Sequence, residues 1–275
     1  MRTFLIRSAS ALVFGVLVLG SLLYNAWLFS SVMLIFSILG MWEFFTITSF
    51  NEIKANKTTG TIAGVFLYTS LAFFAHGANI SWMIFLNAIP FATIFVSELF
   101  CKSTNPFVKI SLTLLGIIYV ALPLALLNFF FYPKLGNIPH PGILLSFFAL
   151  IWINDSFAYV SGMLVGRTPL FPRISPKKTW EGSIGGAVFT MISAYFISYY
   201  LPQLSLLEWL GFAILVVVFG TLGDLIESML KRSLNIKDSG SIMPGHGGIL
   251  DRFDAALFAA PVIFAYLYMI YFYIN

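Results

Sequence analysis

Residues 206–254 read LLEWLGFAILVVVFGTLGDLIESMLKRSLNIKDSGSIMPGHGGILDRFD. The first half, Leu206 to Leu230, is almost wholly apolar. As a helix it is long enough to cross a hydrocarbon core about 30 Å thick. The second half turns abruptly polar, with Lys231-Arg232, Lys237-Asp238, Pro244-Gly-His-Gly-Gly248 and Asp251-Arg-Phe-Asp254. The pattern is that of a membrane span ending in a charged rim. Carboxylates and cations are costly near lipid, and a cluster of them marks a site. Hard oxygen ligands, cations and a glycine-rich turn together point to phosphate chemistry at a membrane surface.

The rest of the chain agrees. Of 275 residues, 59% are hydrophobic and 9% charged, and the mean hydropathy is +0.93. A soluble domain carries about 25% charged residues. The formal charge of +4 does not indicate a nucleic-acid partner, because the basic residues are spread over separate loops. A single cysteine, Cys101, excludes an internal disulfide and a cysteine-based zinc site. At the N-terminus Arg2 and Arg7 flank an apolar run from Ala9 to Leu23, with no small-x-small cleavage site after it. A retained first helix is expected.

Spans of about 20 apolar residues are expected near 8–24, 27–49, 59–77, 80–100, 106–131, 141–165, 182–201, 206–230 and 252–273. The fold class is therefore an all-α polytopic integral membrane protein of about nine transmembrane helices. An N-terminal scaffold is expected over 1–135 and a catalytic region over 136–275. With the N-terminus in the cytoplasm, every one of the fifteen basic residues except Lys134 falls on the cytoplasmic side. The two polar loops, 166–181 and 231–251, then share that face. Most acids lie toward the same helix ends, with Glu208 the exception.

Asp224, Glu227, Ser228 and Lys231 follow i, i+3, i+4, i+7 spacing and share one helix face. Asp251 and Asp254 are three apart at the start of the last helix. Asp224, Asp251 and Asp254 are candidate ligands for Mg²⁺ or Mn²⁺, one ion or more, which take oxygen ligands and share them with substrate phosphates. Ion pairing such as Asp224 with Lys231, or helix capping by Asp251 and Asp254, is the structural alternative. Gly247 and Gly248 let backbone N–H groups approach an anion at a helix start. His246 beside them is suited to phosphate binding or proton transfer. Asp155, a carboxylate inside a span, is a candidate for binding a cation or a nucleotide hydroxyl. Lys177 and Lys178 either set topology and attract headgroups or neutralise a triphosphate. Gly162 with Gly166, and Gly182 with Gly186, form GxxxG pairs for close helix packing. Glu43 and Glu98 are read as rim carboxylates paired with bases such as Arg7 or Lys102. His76 and His140 fall on the outer face, away from the chemistry.

The spaced run Ser228-Met-Leu-Lys-Arg232, Lys237-Asp-Ser-Gly240, Pro244-Gly-His-Gly-Gly248, Asp251-Arg-Phe-Asp254 resembles the signature of the phosphatidate cytidylyltransferases, or CDP-diacylglycerol synthases. Asp155-Ser-Phe-Ala-Tyr159 and Ser175-Pro-Lys-Lys-Thr-Trp-Glu-Gly182 also resemble motifs of that family. Met243 stands where the family prefers Leu, Ile or Phe. The matching motifs lie in roughly the last 125 residues, whereas the first five helices resemble the family only in hydropathy and helix count. The resemblance implies that CTP and phosphatidate give CDP-diacylglycerol and pyrophosphate with Mg²⁺, in phospholipid biosynthesis. It implies a homodimer in the cell inner membrane with its active site facing the cytoplasm. It places Asp224, Asp251 and Asp254 at the metal and catalytic centre, with His246, Lys237 and Arg252 as further catalytic residues. Lys177, Lys178, Ser228, Lys231 and Arg232 then bind substrate. The residues alone also leave open a CTP-dependent lipid alcohol kinase, and a transporter using Asp155 and Asp224 as ion sites.

Overall fold

The computed structural model describes residues 2–49, 54–78, 82–101, 103–132, 139–243 and 247–274, with side chains for residue 10 and from 12 to 272 within those segments. Nine helices run through them: α1 (Arg2–Tyr24), α2 (Ala26–Ile47), α3 (Lys57–Ala75), α4 (Trp82–Leu99), α5 (Pro106–Phe131), α6 (Gly142–Val165), α7 (Trp180–Tyr200), α8 (Leu206–Ser233) and α9 (Leu250–Met269). Helices α2 to α9 are long and apolar enough to span a bilayer, and the apolar helix Leu12–Tyr24 is shorter. The chain is an all-α polytopic membrane protein, as its hydropathy predicts.

Local chemistry sets the helix ends. Asn25 and Asn56 cap α2 and α3 by accepting backbone N–H groups of Trp27 and Thr59. Ser205 and Glu208 form a capping box on α8, which accounts for the one acid expected at the opposite face. Helix α5 passes through a π-turn at Ile117–Ala121 just before Pro123. A proline has no N–H to give and crowds the preceding turn, and the wider turn absorbs both effects.

The chain divides into two compact units, Met1–Pro139 with Asp238–Phe253, and His140–Lys237 with Asp254–Asn275. Residues 238–253 pack with the N-terminal helices in the first unit. The physical reason is burial: Phe253 sits against Phe14 and Phe36, with ring centroids 5.3 and 5.5 Å apart.

The first unit holds a buried polar network. His76 Nε2 lies 2.7 Å from Ser30 Oγ and its Nδ1 2.8 Å from Tyr132 OH. Asn128 donates to Tyr68 OH, which donates to Ser30 O at 2.8 Å. Trp27 stacks on the imidazole at 3.8 Å. Burial lowers the His76 pKa from 6.5 to about 4, so folding favours the neutral ring. Stability from this site is complete above pH 6.5 and is lost as pH falls toward 4. Tm in detergent is expected to drop across that window, and to drop less in His76→Gln, which starts lower at neutral pH but cannot titrate. Scanning fluorimetry against pH reads both.

In the second unit small residues bring α6 and α7 together. A Cβ on Gly182 would lie 2.7 Å from Ala158 O and 3.1 Å from Gly162 Cα. On Gly186 it would lie 2.7 Å from Asn154 O and 3.0 Å from Ala158 Cβ. These contacts match the packing role expected of the GxxxG pairs. Gly166 ends α6 by returning its N–H to Gly162 O at 3.0 Å. Gly186→Leu is expected to force the helices apart at a cost of about 1–3 kcal/mol or more. A lowered Tm and loss of a monodisperse gel-filtration peak would register it.

Candidate active site

The loop expected over 166–181 is a short antiparallel hairpin. Its strands are β1 (Pro169–Phe171) and β2 (Ser175–Thr179), with Pro169 opposite Thr179 and Phe171 opposite Ser175. Glu181, in the first turn of α7, accepts N–H groups from Arg167 at 3.1 Å and Thr168 at 3.1 and 3.2 Å. Thr179 caps α7 by accepting from Gly182 N–H at 3.2 Å. The hairpin is thereby tied to the helix that follows it. Lys178 is half-buried on β2, and Lys177 beside it is exposed.

Lys178 forms an ion pair with Asp224 of α8. The Lys178 ammonium and the Asp155, Asp224 and Asp254 carboxylates all act on one another electrostatically. Ser228 donates its hydroxyl to Asp224 Oδ1 at 3.3 Å. Lys231 pairs with Glu227, one turn back on the same face. The alternative pairing of Asp224 with Lys231 is therefore not the one adopted. Glu227 itself is 1% exposed, so its partner on α8 neutralises a charge that burial makes costly.

Helix α8 runs through Lys231 and Arg232, placing both in its last turn. Asn235 then takes the left-handed conformation at φ 55°. Ile236 N–H bonds Lys231 O at 3.0 Å and Asn235 N–H bonds Arg232 O at 3.1 Å, the two bonds of a Schellman stop. Arg232 Nη1 donates to Ile236 O at 3.2 Å. Arg232 and Lys237 are exposed.

The first unit contains the other aspartate. Asp251 Oδ2 accepts from Ser239 N–H at 2.8 Å, Ser239 O–H at 2.9 Å and Gly248 N–H at 2.8 Å. The N–H of Gly248, expected to face an anion, thus faces a carboxylate of this chain. Gly247 has φ +80°, and a Cβ there would collide with Asp251 Oδ2, so both conformation and space demand glycine. Arg252 is exposed. His246 lies outside the described residues.

Glu43 has contacts that the sequence does not show. It is 5% exposed; its Oε2 accepts from Leu250 N–H at 3.1 Å and lies 3.4 Å from Ser239 Oγ, whose hydrogen goes to Asp251. The side chains of Arg7 and Lys102, the expected partners, lie outside the described residues; among the described ones Glu43 serves the start of α9. The available signal was a carboxylate inside an apolar span, the rule that singled out Asp155.

Among the described residues, no three His, Cys, Asp or Glu side chains are gathered tightly enough to hold a metal ion. The donor chemistry nevertheless fits one. In the second unit three carboxylates face one ammonium, which leaves a deficit of positive charge. Mg²⁺ is commonly held by one or two carboxylates, completing its shell with waters and substrate phosphates. Asp224 and Asp254 are donors of that kind, and Asp251 offers the same chemistry in the first unit.

Residues 5–270 match a family model described as the cytidylyltransferase family. The chain is 40% identical over 167 residues to the phosphatidate cytidylyltransferase of Bacillus subtilis (strain 168), covering 59% of this chain and 60% of that protein. It is 37% identical over 163 residues to the protein of the same name from Staphylococcus aureus (strain COL), with the same coverage. Over 118 residues it is 43% identical to that of Staphylococcus saprophyticus, covering 42% of this chain and 45% of that protein. The chain thus matches about 60% or less of the length of these relatives.

Proposed function

Because the chain belongs to the cytidylyltransferase family, we propose that it transfers the cytidylyl group of CTP to phosphatidate, giving CDP-diacylglycerol and pyrophosphate. The observation that carries this reading is the group of Asp155, Asp224 and Asp254 around Lys178. It combines oxygen donors for a divalent cation with an ammonium for phosphate. The relatives' name, phosphatidate cytidylyltransferase, supplies the acceptor and the transferred group.

An oxygen of the phosphatidate phosphate attacks the α-phosphorus of CTP. The new P–O–P linkage forms as the bond to the β-phosphate breaks, and pyrophosphate leaves with the electron pair. The attacking phosphomonoester is largely ionised near neutral pH, its second pKa being about 6, so it needs little general-base help. What opposes reaction is repulsion between two anions. Lys178, oriented by Asp224, presents positive charge from the hairpin. Exposed Lys177, Arg232, Lys237 and Arg252 supply further cations, and Lys231 adds one tied to Glu227. Divalent cations held by Asp224 and Asp254, and by Asp251, would screen the same repulsion and stabilise the leaving pyrophosphate. The positive-inside distribution supports a cytoplasm-facing site in the cell inner membrane with the N-terminus on the same side. A homodimer completes the reading, on the family resemblance alone.

The test uses purified protein in detergent with Mg²⁺, phosphatidate and CTP labelled at the α-phosphorus. Metal-dependent label in the organic phase with stoichiometric pyrophosphate is expected. Absence of lipid label, with γ-labelled CTP instead marking a lipid alcohol, would replace this reading with γ-phosphoryl transfer.

A further inference from the structure

The first five helices carry no motif of the signature, yet one of their side chains reaches it. Glu43, on α2, is buried against Ser239, Gly240, Gly248 and Leu250, which belong with it to the first unit. Two glycines make room for it. A Cβ on Gly240 would come 2.5 Å from Glu43 Oε1, and one on Gly248 would collide with Glu43 Oε2 and Ser239 Oγ. The carboxylate therefore fills a socket in the loop that any larger residue at 240 or 248 would close.

From that socket Glu43 reaches the backbone of Ile249 and Leu250 and the side chain of Ser239. Its Oε2 accepts the N–H of Leu250, in the first turn of α9, and lies 3.4 Å from the Ser239 hydroxyl. Ser239 in turn gives both its N–H and its O–H to Asp251 Oδ2. One serine hydrogen serves the shorter contact, at 2.9 Å to Asp251. Glu43 thus holds the backbone of Leu250, the residue before Asp251, while its Oε2 packs against the Ser239 oxygen. Among the described residues, Glu43 Oε1 is buried without a hydrogen-bond partner. A carboxylate kept in that state costs stability, and a residue serving packing alone would be better apolar.

We propose that Glu43 is a positioning residue for cytidylyl transfer, holding Ser239 and the start of α9 so that the Asp251 carboxylate keeps one orientation. The role rests on the reading of function above. It also gives the N-terminal helices a part in the chemistry. Ser239, Gly240 and Gly248 are then parts of a mount for Asp251 as much as of a surface for substrate.

Full-length protein in detergent, assayed by transfer of α-labelled phosphate into lipid, tests this with Glu43→Ala, Glu43→Gln, Ser239→Ala and the Glu43→Ala/Ser239→Ala pair. Misplacing a reacting group by about 1 Å costs on the order of 100-fold. Glu43→Ala is expected to lower kcat by about that factor, with KM for CTP and phosphatidate nearly unchanged. Glu43→Gln keeps an acceptor for Leu250 N–H and should recover about 10-fold of the loss. The double variant should be no slower than Glu43→Ala, because both changes act through Asp251. Hydrogen exchange over 239–251 should quicken in Glu43→Ala. A folded Glu43→Ala with wild-type kcat, additive losses in the pair, or a change confined to Tm would overturn the role while leaving the function standing. If Glu43→Ala does not fold, Glu43→Gln and Ser239→Ala decide: full activity in both overturns the role. A wild type that transfers no cytidylyl group overturns the reading of function and this role with it.

Discussion

Asp251→Asn is expected to lower turnover by about 10³-fold while leaving the protein folded. The geometry separates the two effects. Asp251 Oδ2 accepts three hydrogen bonds, two from Ser239 and one from Gly248. An asparagine oxygen in the same place accepts the same three, so the loop and the start of α9 keep their mount. What disappears is the negative charge that the proposed function assigns to cation binding. Hard divalent cations discriminate strongly between a carboxylate and an amide. Tm should therefore stay near the wild-type value while kcat collapses. Raising Mg²⁺ should restore only part of the rate. Near-normal turnover at saturating Mg²⁺ would remove Asp251 from the metal centre. The α-labelled transfer assay with a parallel melting curve reads both quantities.

Lys178→Met is expected to lower kcat/KM for CTP by about 100-fold, equivalent to about 2.7 kcal/mol at 25 °C. Methionine keeps much of the length of the stem and removes the charge. The Asp155, Asp224 and Asp254 carboxylates then face one another without the ammonium that acts on all three. Lys178 and Asp224 are 29% and 30% exposed in their side chains, so solvent screens the pair and its share in folding stability is small. The variant should accordingly melt within a few degrees of wild type, by the size of effect such pairs have. Lys178→Arg should recover activity partially, since it keeps the charge but not the compact ammonium. A fall in Tm that accounts for the lost activity would make the lysine structural.

The sequence was most legible where one dimension of it suffices. Helices α2 to α9 follow from the lengths of their apolar runs, because crossing a bilayer is a requirement on consecutive residues. The helix ends rest on equally local chemistry, which the structure reveals: Asn25, Asn56, Ser205 with Glu208, and Asn235 are residues whose side chains or left-handed backbone satisfy groups a few positions away. Gly162, Gly182 and Gly186 were recognised as packing residues on spacing alone, and the structure finds α6 and α7 in contact through them. The aspartates and lysines were found because charge at the edge of an apolar span is rare enough to need a reason.

Partner choice was decided only by tertiary structure. Spacing along α8 allowed Lys231 to meet either Asp224 or Glu227, and packing paired it with Glu227 while a lysine from the hairpin took Asp224. The hairpin itself was hidden, since its strands Pro169–Phe171 and Ser175–Thr179 are too short to show an alternating pattern. Residues 238–253 joined the N-terminal helices through Phe14, Phe36 and Glu43, contacts that no local pattern encodes. Glu43 is the clearest case. Its hydrogen bond to Leu250 spans 207 residues of sequence, and the two glycines that admit it explain themselves only once its carboxylate is seen between them. Apolar length and helix caps are properties of neighbours in the chain, so the sequence by itself determined the spans and their ends. A buried charge takes whichever donor the fold brings near, so only the tertiary structure decided what each carboxylate serves.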